Sequence, residues 1–198
     1  MNHATLSIEK KTLRKDKIRA RESLTEEERV LFSREICRRI TETLEYRSAD
    51  VIFIYKWVKG EVKLDDLEDD ARSGGKRIVY PLCVSKTEMV AVEPGSGNDA
   101  WKDSGSFGIR EPDPERGVSV DPEEIDLVIC PCSAFDEHCR RLGMGGGFYD
   151  RYLPLCTNAK VIAAAFEVQK ADEIPADSFD CRTDAVITEA ACYSCNRR

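Results

Sequence analysis

Leu127-Val128-Ile129-Cys130 is an apolar run with no polar residue at any position. A strand of that kind has no side to show to water, so it belongs at the centre of a sheet covered on both faces. Val51-Ile52-Phe53-Ile54-Tyr55, Val161-Ile162-Ala163-Ala164-Ala165-Phe166 and Ala185-Val186-Ile187-Thr188 are runs of the same sort. Two shorter segments, Arg77-Ile78-Val79-Tyr80 (stopped by Pro81) and Glu88-Met89-Val90-Ala91-Val92, also favour strands.

Helical segments separate these runs. Lys10 to Glu22 reads as a first helix. Thr25-Glu26-Glu27-Glu28 matches a capping box, and Val30, Leu31, Cys37, Ile40 and Leu44 then recur at helical spacing to about Tyr46. A third helix is predicted from Lys63 to Arg72, closed by Ser73-Gly74-Gly75, and a fourth from Gly147 to about Leu155. Alternation of this kind predicts an α/β fold, with a mostly parallel central sheet and helices on both faces in a three-layer sandwich. Ligands of such sheets bind beyond the carboxyl ends of the strands. Residues 1–198 form one domain, with no repeat or low-complexity linker. The stretch from Glu93 to Pro122, rich in Gly, Pro, Asp and Ser, is expected to be mostly loop, functional or mobile, with Gly105 and Gly108 permitting movement.

Composition narrows the setting. No apolar run approaches the roughly 20 residues of a membrane span, and Met1 to Arg21 lacks the apolar core of a secretory signal. The expectation is a cytoplasmic monomer with no membrane partner. Nine cysteines, an odd number in a chain of this size, are expected to be reduced thiols. The net charge of -7 argues against a nucleic-acid partner. Positive charge is nevertheless concentrated at Lys10, Lys11, Arg14, Lys15, Lys17, Arg19 and Arg21. That run is either a solvated helix face or a helix that presents cations to a small anion.

The strongest candidate for chemistry is Arg141-Leu142-Gly143-Met144-Gly145-Gly146-Gly147-Phe148-Tyr149-Asp150-Arg151. Four glycines in five positions let a ligand approach the backbone, and a helix start after them would aim free N–H groups at it. The loop lacks the Lys-Ser/Thr pair of a Walker A motif. Gly143-Met144-Gly145 begins a dinucleotide fingerprint, but Phe148 stands where the third glycine should be. Phe135-Asp136 and Arg141 before the loop, with Tyr149-Asp150-Arg151 after it, offer stacking, metal-binding and anion-pairing groups around one concave backbone.

These residues resemble the 5-formyltetrahydrofolate cyclo-ligases, also called 5,10-methenyltetrahydrofolate synthetases. The family signature reads here as Cys130-Pro131-Cys132-Ser133-Ala134-Phe135-Asp136 followed by Arg141 through Arg151. Lys10 and Arg14, Glu61-Val62, Gly108-Ile109-Arg110-Glu111-Pro112 and a C-terminal series extend the resemblance over nearly the whole chain. That series is Phe166, Gln169, Ile174-Pro175, Asp180, Asp184 and Ile187-Thr188-Glu189. Two positions depart from it: Gly146 stands where many relatives carry Lys, and Cys132 where many carry Gly.

The resemblance implies ATP-driven cyclisation of 5-formyltetrahydrofolate, with ATP as co-substrate and Mg²⁺ as cofactor. It implies catalytic roles for Lys10, Arg14 and Arg141, which would neutralise the triphosphate. The backbone of Leu142, Gly143, Met144, Gly145, Gly146, Gly147, Phe148 and Tyr149 would hold ATP with them. Glu61, Met144 and Phe148 would contact the folate, with Trp101 and Tyr149 as neighbours, and Asp150 and Asp180 would bind the metal. Two rival readings remain at this point. Cys192-x-x-Cys195 with Cys130, Cys132, His138 and Cys139 includes zinc-ligand types, and the chain could be a non-catalytic nucleotide or folate binder.

Overall fold

The computed structural model describes residues 3–58, 60–103 and 109–195. Gly105 and Gly108 therefore lie outside the described residues. The chain opens with α1 (His3–Glu22), α2 (Glu26–Thr41) and α3 (Leu44–Ser48). It continues through β1 (Val51–Phe53), α4 (Asp65–Ser73), β2 (Arg77–Cys83) and β3 (Met89–Glu93). The segment expected to be loop holds three short strands, β4 (Trp101–Lys102), β5 (Glu111–Pro112) and β6 (Val118–Val120). Then come β7 (Leu127–Pro131), β8 (Ala134–Phe135), β9 (Arg141–Leu142) and α5 (Phe148–Tyr152), and last β10 (Lys160–Ala164), β11 (Ala185–Ile187) and β12 (Cys192–Ser194).

The main sheet has the order β12-β11-β10-β7-β1-β2-β3-β6. Its centre, β11-β10-β7-β1-β2, is parallel, while β12 with β11, β3 with β2 and β6 with β3 pair antiparallel at the edges. The run Leu127–Cys130 lies at the middle of that order and is fully buried. Ile36, Cys37 and Ile40 of α2, Tyr46 of α3, and Leu67 and Ala71 of α4 pack with Ile52, Ile78, Leu127 and Ile129 on one face. Tyr152, Leu153 and Cys156 pack with Phe53, Val79, Val128 and Cys130 on the other. The layers are those expected of an α/β sandwich, because alternate residues of strands buried on both sides feed two cores.

Several boundaries differ from expectation, each for a local reason. The second helix breaks before Tyr46: the Thr43 hydroxyl accepts from Tyr46 N at 3.1 Å and starts α3 afresh. Strand β2 runs through Pro81. Ile54 N donates to Val79 O at 3.0 Å, and the next rung of that parallel ladder needs a donor at position 81, which proline lacks. Pro81 therefore ends the pairing with β1 but leaves the antiparallel pairing of β2 with β3 untouched. The last predicted helix is only five residues long, Phe148–Tyr152. Pro154 explains its end, since a helix rarely passes the residue before a proline.

Candidate active site

A cavity of about 940 Å³ opens where β1, β2 and β7 end, at the carboxyl edge where α/β sheets bind ligands. The residues to which the resemblance gives catalytic, ATP-binding, folate-contacting or metal-binding roles line it: Lys10, Arg14, Glu61, Asp150, Asp180 and the whole of Arg141 to Tyr149. Their convergence follows from topology. The segment after β1 brings Glu61, the hairpin β8–β9 brings the glycine loop, and α1 lies across the opening with Lys10 and Arg14 turned inward.

The hairpin is built on Asp136. This fully buried carboxylate accepts from the backbone N–H groups of His138, Arg140 and Ile174 and from Arg140 Nε. Four donors on one buried carboxylate fix a tight turn and leave it no role as a ligand. Phe135 is likewise core, 5.4 Å from the ring of Tyr193. Both residues were expected to flank the ligand, and both prove to be scaffold. Beyond β9, Gly145 (φ +102) and Gly147 (φ +65) take left-handed backbone angles. A Cβ at Gly147 would also stand 2.6 Å from Arg151 Nη1. The loop can turn this sharply because glycine has no Cβ.

The cations are held. Lys10 Nζ lies 2.9 Å from Asp177 Oδ2 and 2.5 Å from Asp180 Oδ2. Burial disfavours its charge, but hydrogen bonds to Asp180 and Asp177 outweigh that and raise its pKa. Arg14 Nε donates to the carbonyl of Gly143 at 2.7 Å. Arg141, with a side chain 2% exposed, donates from Nη2 to Asp150 Oδ1 at 2.8 Å, and that oxygen also accepts from Cys181 N at 3.1 Å. Arg141 Nε is buried without a hydrogen-bond partner. Arg151, expected to serve the anion site, instead donates to the carbonyls of Gly146 and Thr87. It is a backbone clamp.

On the folate side of the expectation, Glu61 is 8% exposed and accepts from Val58 N at 3.1 Å. Burial pushes its pKa up, against the Val58 hydrogen bond and the charge of Arg21. Met144 and Phe148 line the cavity. Tyr149 does too, and its buried hydroxyl has no hydrogen-bond partner. Trp101 is not part of that lining: it packs edge-on against Tyr80 with ring centroids 4.8 Å apart, and Tyr80 forms the wall.

Asp177, Tyr55, Tyr80, Cys83 and Met89, which sequence reasoning did not assign to the site, also line the cavity, as does Glu111, quoted above only for the resemblance. Tyr55 and Tyr80 stand just past the carboxyl ends of parallel pairing, a position that marks binding residues in this fold class. Asp177 belongs to a local turn, with Asp177 N donating to Asp180 Oδ2 at 2.8 Å. The Asp-x-x-Asp spacing was its readable signal.

Among the described residues, no three His, Cys, Asp or Glu side chains are grouped to hold a metal ion. The nine cysteines are free thiols. Cys139 Sγ contacts the Tyr193 carbonyl and Cys195 Sγ that of Glu137, each at 3.5 Å. None of the described helices is long and apolar enough to cross a membrane.

A model of the 5-formyltetrahydrofolate cyclo-ligase family matches residues 7–189. The chain belongs to this family of ligases. The 5-formyltetrahydrofolate cyclo-ligase of Mus musculus is 27% identical over 207 residues, 96% of this chain and 98% of that one. The Haemophilus influenzae 5-formyltetrahydrofolate cyclo-ligase is 30% identical over 139 residues, 69% of this chain and 74% of its own. The solved structure of Aquifex aeolicus 5,10-methenyltetrahydrofolate synthetase superposes with a TM-score of 0.81 at 29% identity, covering 93% of this chain and 92% of that one. The cyclo-ligase fold thus accounts for the sheet and its flanking layers.

Proposed function

We propose that this chain cyclises 5-formyltetrahydrofolate to 5,10-methenyltetrahydrofolate at the expense of ATP, releasing ADP and phosphate. The observation that carries the reading is convergence. A glycine loop, two cations from α1, the buried Arg141 and the buried Glu61 line one cavity large enough for a nucleotide phosphate chain and a pterin. All come from a single chain, so a monomer suffices.

The chemistry requires activation of the N5-formyl oxygen, a poor leaving group. Transfer of the γ-phosphoryl group to that oxygen releases ADP and gives an imino-phosphate. N10 then attacks the formyl carbon, loses its proton, and phosphate departs with the C–O bond. Phosphoryl transfer asks a protein for positioning and charge stabilisation rather than for a nucleophile. Lys10, Arg14 and Arg141 would face the phosphates, and the N–H groups from Gly143 to Phe148 would approach them from the backbone. Since α5 is one short turn, its dipole adds little and the cations carry most of the charge.

A magnesium ion fits this setting in one way. Mg²⁺ keeps several waters and takes one or two carboxylates beside substrate phosphates. Asp150 and Asp180, which both line the cavity, would supply those carboxylates. The ion, when bound, would screen the triphosphate charge. Glu61 would accept hydrogen bonds from the N–H edge of the pterin, with Met144 and Phe148 against the flat ring.

The deciding assay follows the absorbance of the methenyl product formed from 5-formyltetrahydrofolate, with and without ATP. Product formed only with ATP supports the reading. No ATP-dependent signal from folded protein would sink it.

A further inference from the structure

Arg21, in the last turn of α1, is 3% exposed, and its Nε is buried with no hydrogen-bond partner. A guanidinium placed like this is costly unless a charge nearby needs it. It does not line the cavity. It lies against the turn that carries Glu61: a Cβ at Gly60 would be 3.3 Å from Arg21 Nε and 3.7 Å from Nη2. Gly60 itself has φ +84. The lack of a side chain there lets a flat cation reach the underside of the loop whose next residue is a buried carboxylate.

Among the described residues, other titratable groups around Glu61 are Tyr55, Cys132 and Tyr149. Burial drives both tyrosines well above their usual range and pushes the Cys132 thiol up to about 12, so all three stay neutral at physiological pH. Among the described residues, Arg21 is a cation whose charge favours the ionised form of Glu61. Burial works against the ionised form of Glu61, and the charge of Arg21 works for it.

We propose that Arg21 is a positioning residue that acts through Glu61, holding its carboxylate ionised and in place under the pocket from outside it. This rests on the reading of Glu61 as the group that meets the N–H edge of the folate. A protonated Glu61 would point a donor at donors, so the ionised state is the one that binds. Specificity for the pterin edge would then depend on a residue that never touches substrate.

The test is a carbon-13 NMR titration of the Glu61 carboxyl, its signal assigned by its loss in Glu61→Gln. Arg21→Met should raise the Glu61 midpoint by about one pH unit or more, and Arg21→Lys should restore most of it. The Michaelis constant for 5-formyltetrahydrofolate should rise severalfold in Arg21→Met, with that for ATP unchanged. Should Arg21→Met fail to fold, Gly60→Ala presses a methyl group on the guanidinium and should raise the same midpoint. An unmoved midpoint in folded Arg21→Met, or in Gly60→Ala when that is the folded variant, overturns the proposal. Should the midpoint move while Glu61→Gln binds folate normally, the coupling survives and the folate role of Glu61 falls.

Discussion

Replacing Asp150 with Asn separates charge from geometry at the heart of the site. Asp150 Oδ1 accepts from Arg141 Nη2 at 2.8 Å and from Cys181 N at 3.1 Å. Asparagine can present its own oxygen to both donors, so the contacts survive and the charge is lost. A hydrogen bond to a charged group contributes about 1.5–3 kcal/mol and a neutral one about 1 kcal/mol. Asp150 is 22% exposed, which places the loss toward the low end, about 1 kcal/mol. For a chain of this length that lowers the melting midpoint by about 2–4 °C, readable by thermal denaturation. Turnover should respond on another scale. If Asp150 binds the magnesium of Mg–ATP, its loss should cut ATP-dependent cyclisation by about 100-fold or more, roughly 2.7 kcal/mol of transition-state stabilisation. A fold weakened by 1 kcal/mol cannot account for that at a temperature well below the midpoint. The apparent affinity for Mg²⁺ should fall as well. Turnover within about threefold of the parent at saturating Mg²⁺ (a change of under 1 kcal/mol), with the small melting shift present, would refute the metal role and leave Asp150 as the counter-charge of Arg141.

Three further changes probe the other groups. Arg14→Ala removes the guanidinium that holds the Gly143 carbonyl at 2.7 Å, and should raise the Michaelis constant for ATP about tenfold, or 1.4 kcal/mol; an unchanged value removes Arg14 from the phosphate site. Gly146→Lys installs the residue many relatives carry, and its Cβ would stand 2.9 Å from Phe148 Cδ2, so Phe148 must shift. Nucleotide affinity should improve while folate affinity falls, and equal movement of both in fluorescence titrations would contradict the division of labour. Glu61→Gln concerns pH. Burial raises the folded pKa of Glu61, so its contribution to stability is present below the ordinary carboxylate range and is lost as pH rises through the folded value. Glutamine imitates the protonated form, so the variant should melt higher than the parent at neutral pH and lose that advantage near about pH 4. An equal difference at both pH values would contradict the burial argument.

The parts of this molecule legible in its sequence are those that a periodic pattern or a backbone-permissive residue betrays. Leu127–Cys130 had to be central because it offers water nothing, and the glycine loop had to turn sharply, as the positive φ of Gly145 and Gly147 shows. What stayed hidden depends on burial and on long-range pairing. Ser133 to Arg140 reads as a polar loop, yet it is a hairpin because Asp136 goes fully inside and collects four donors. Pro81 looks like a stop, and is one only toward β1. In the basic run, Lys10 and Arg14 face the cavity, Arg21 is buried, and Lys17 reaches the carbonyl of Lys170. Seven similar charges thus meet different fates that their spacing does not distinguish.

Several charges of the cavity are paired with one another, and under the proposed function that bears on how nucleotide and metal would arrive. Lys10 is paired with Asp180 and Asp177, and Arg141 with Asp150. A phosphate taking Lys10 and Arg141 by itself would strip these carboxylates of their partners in a partly buried place. A divalent cation taking Asp150 and Asp180 by itself would strand the ammonium and the guanidinium. Either exchange leaves unpaired charge that costs more than an exposed pair would. Arriving together, each ligand compensates the group that the other displaces. The two should therefore bind with a favourable coupling free energy, each raising the other's affinity by the same factor. On this reading the carboxylates serve both states of the enzyme: they hold the cations ready while the pocket is empty, and receive the metal when phosphate takes the cations over.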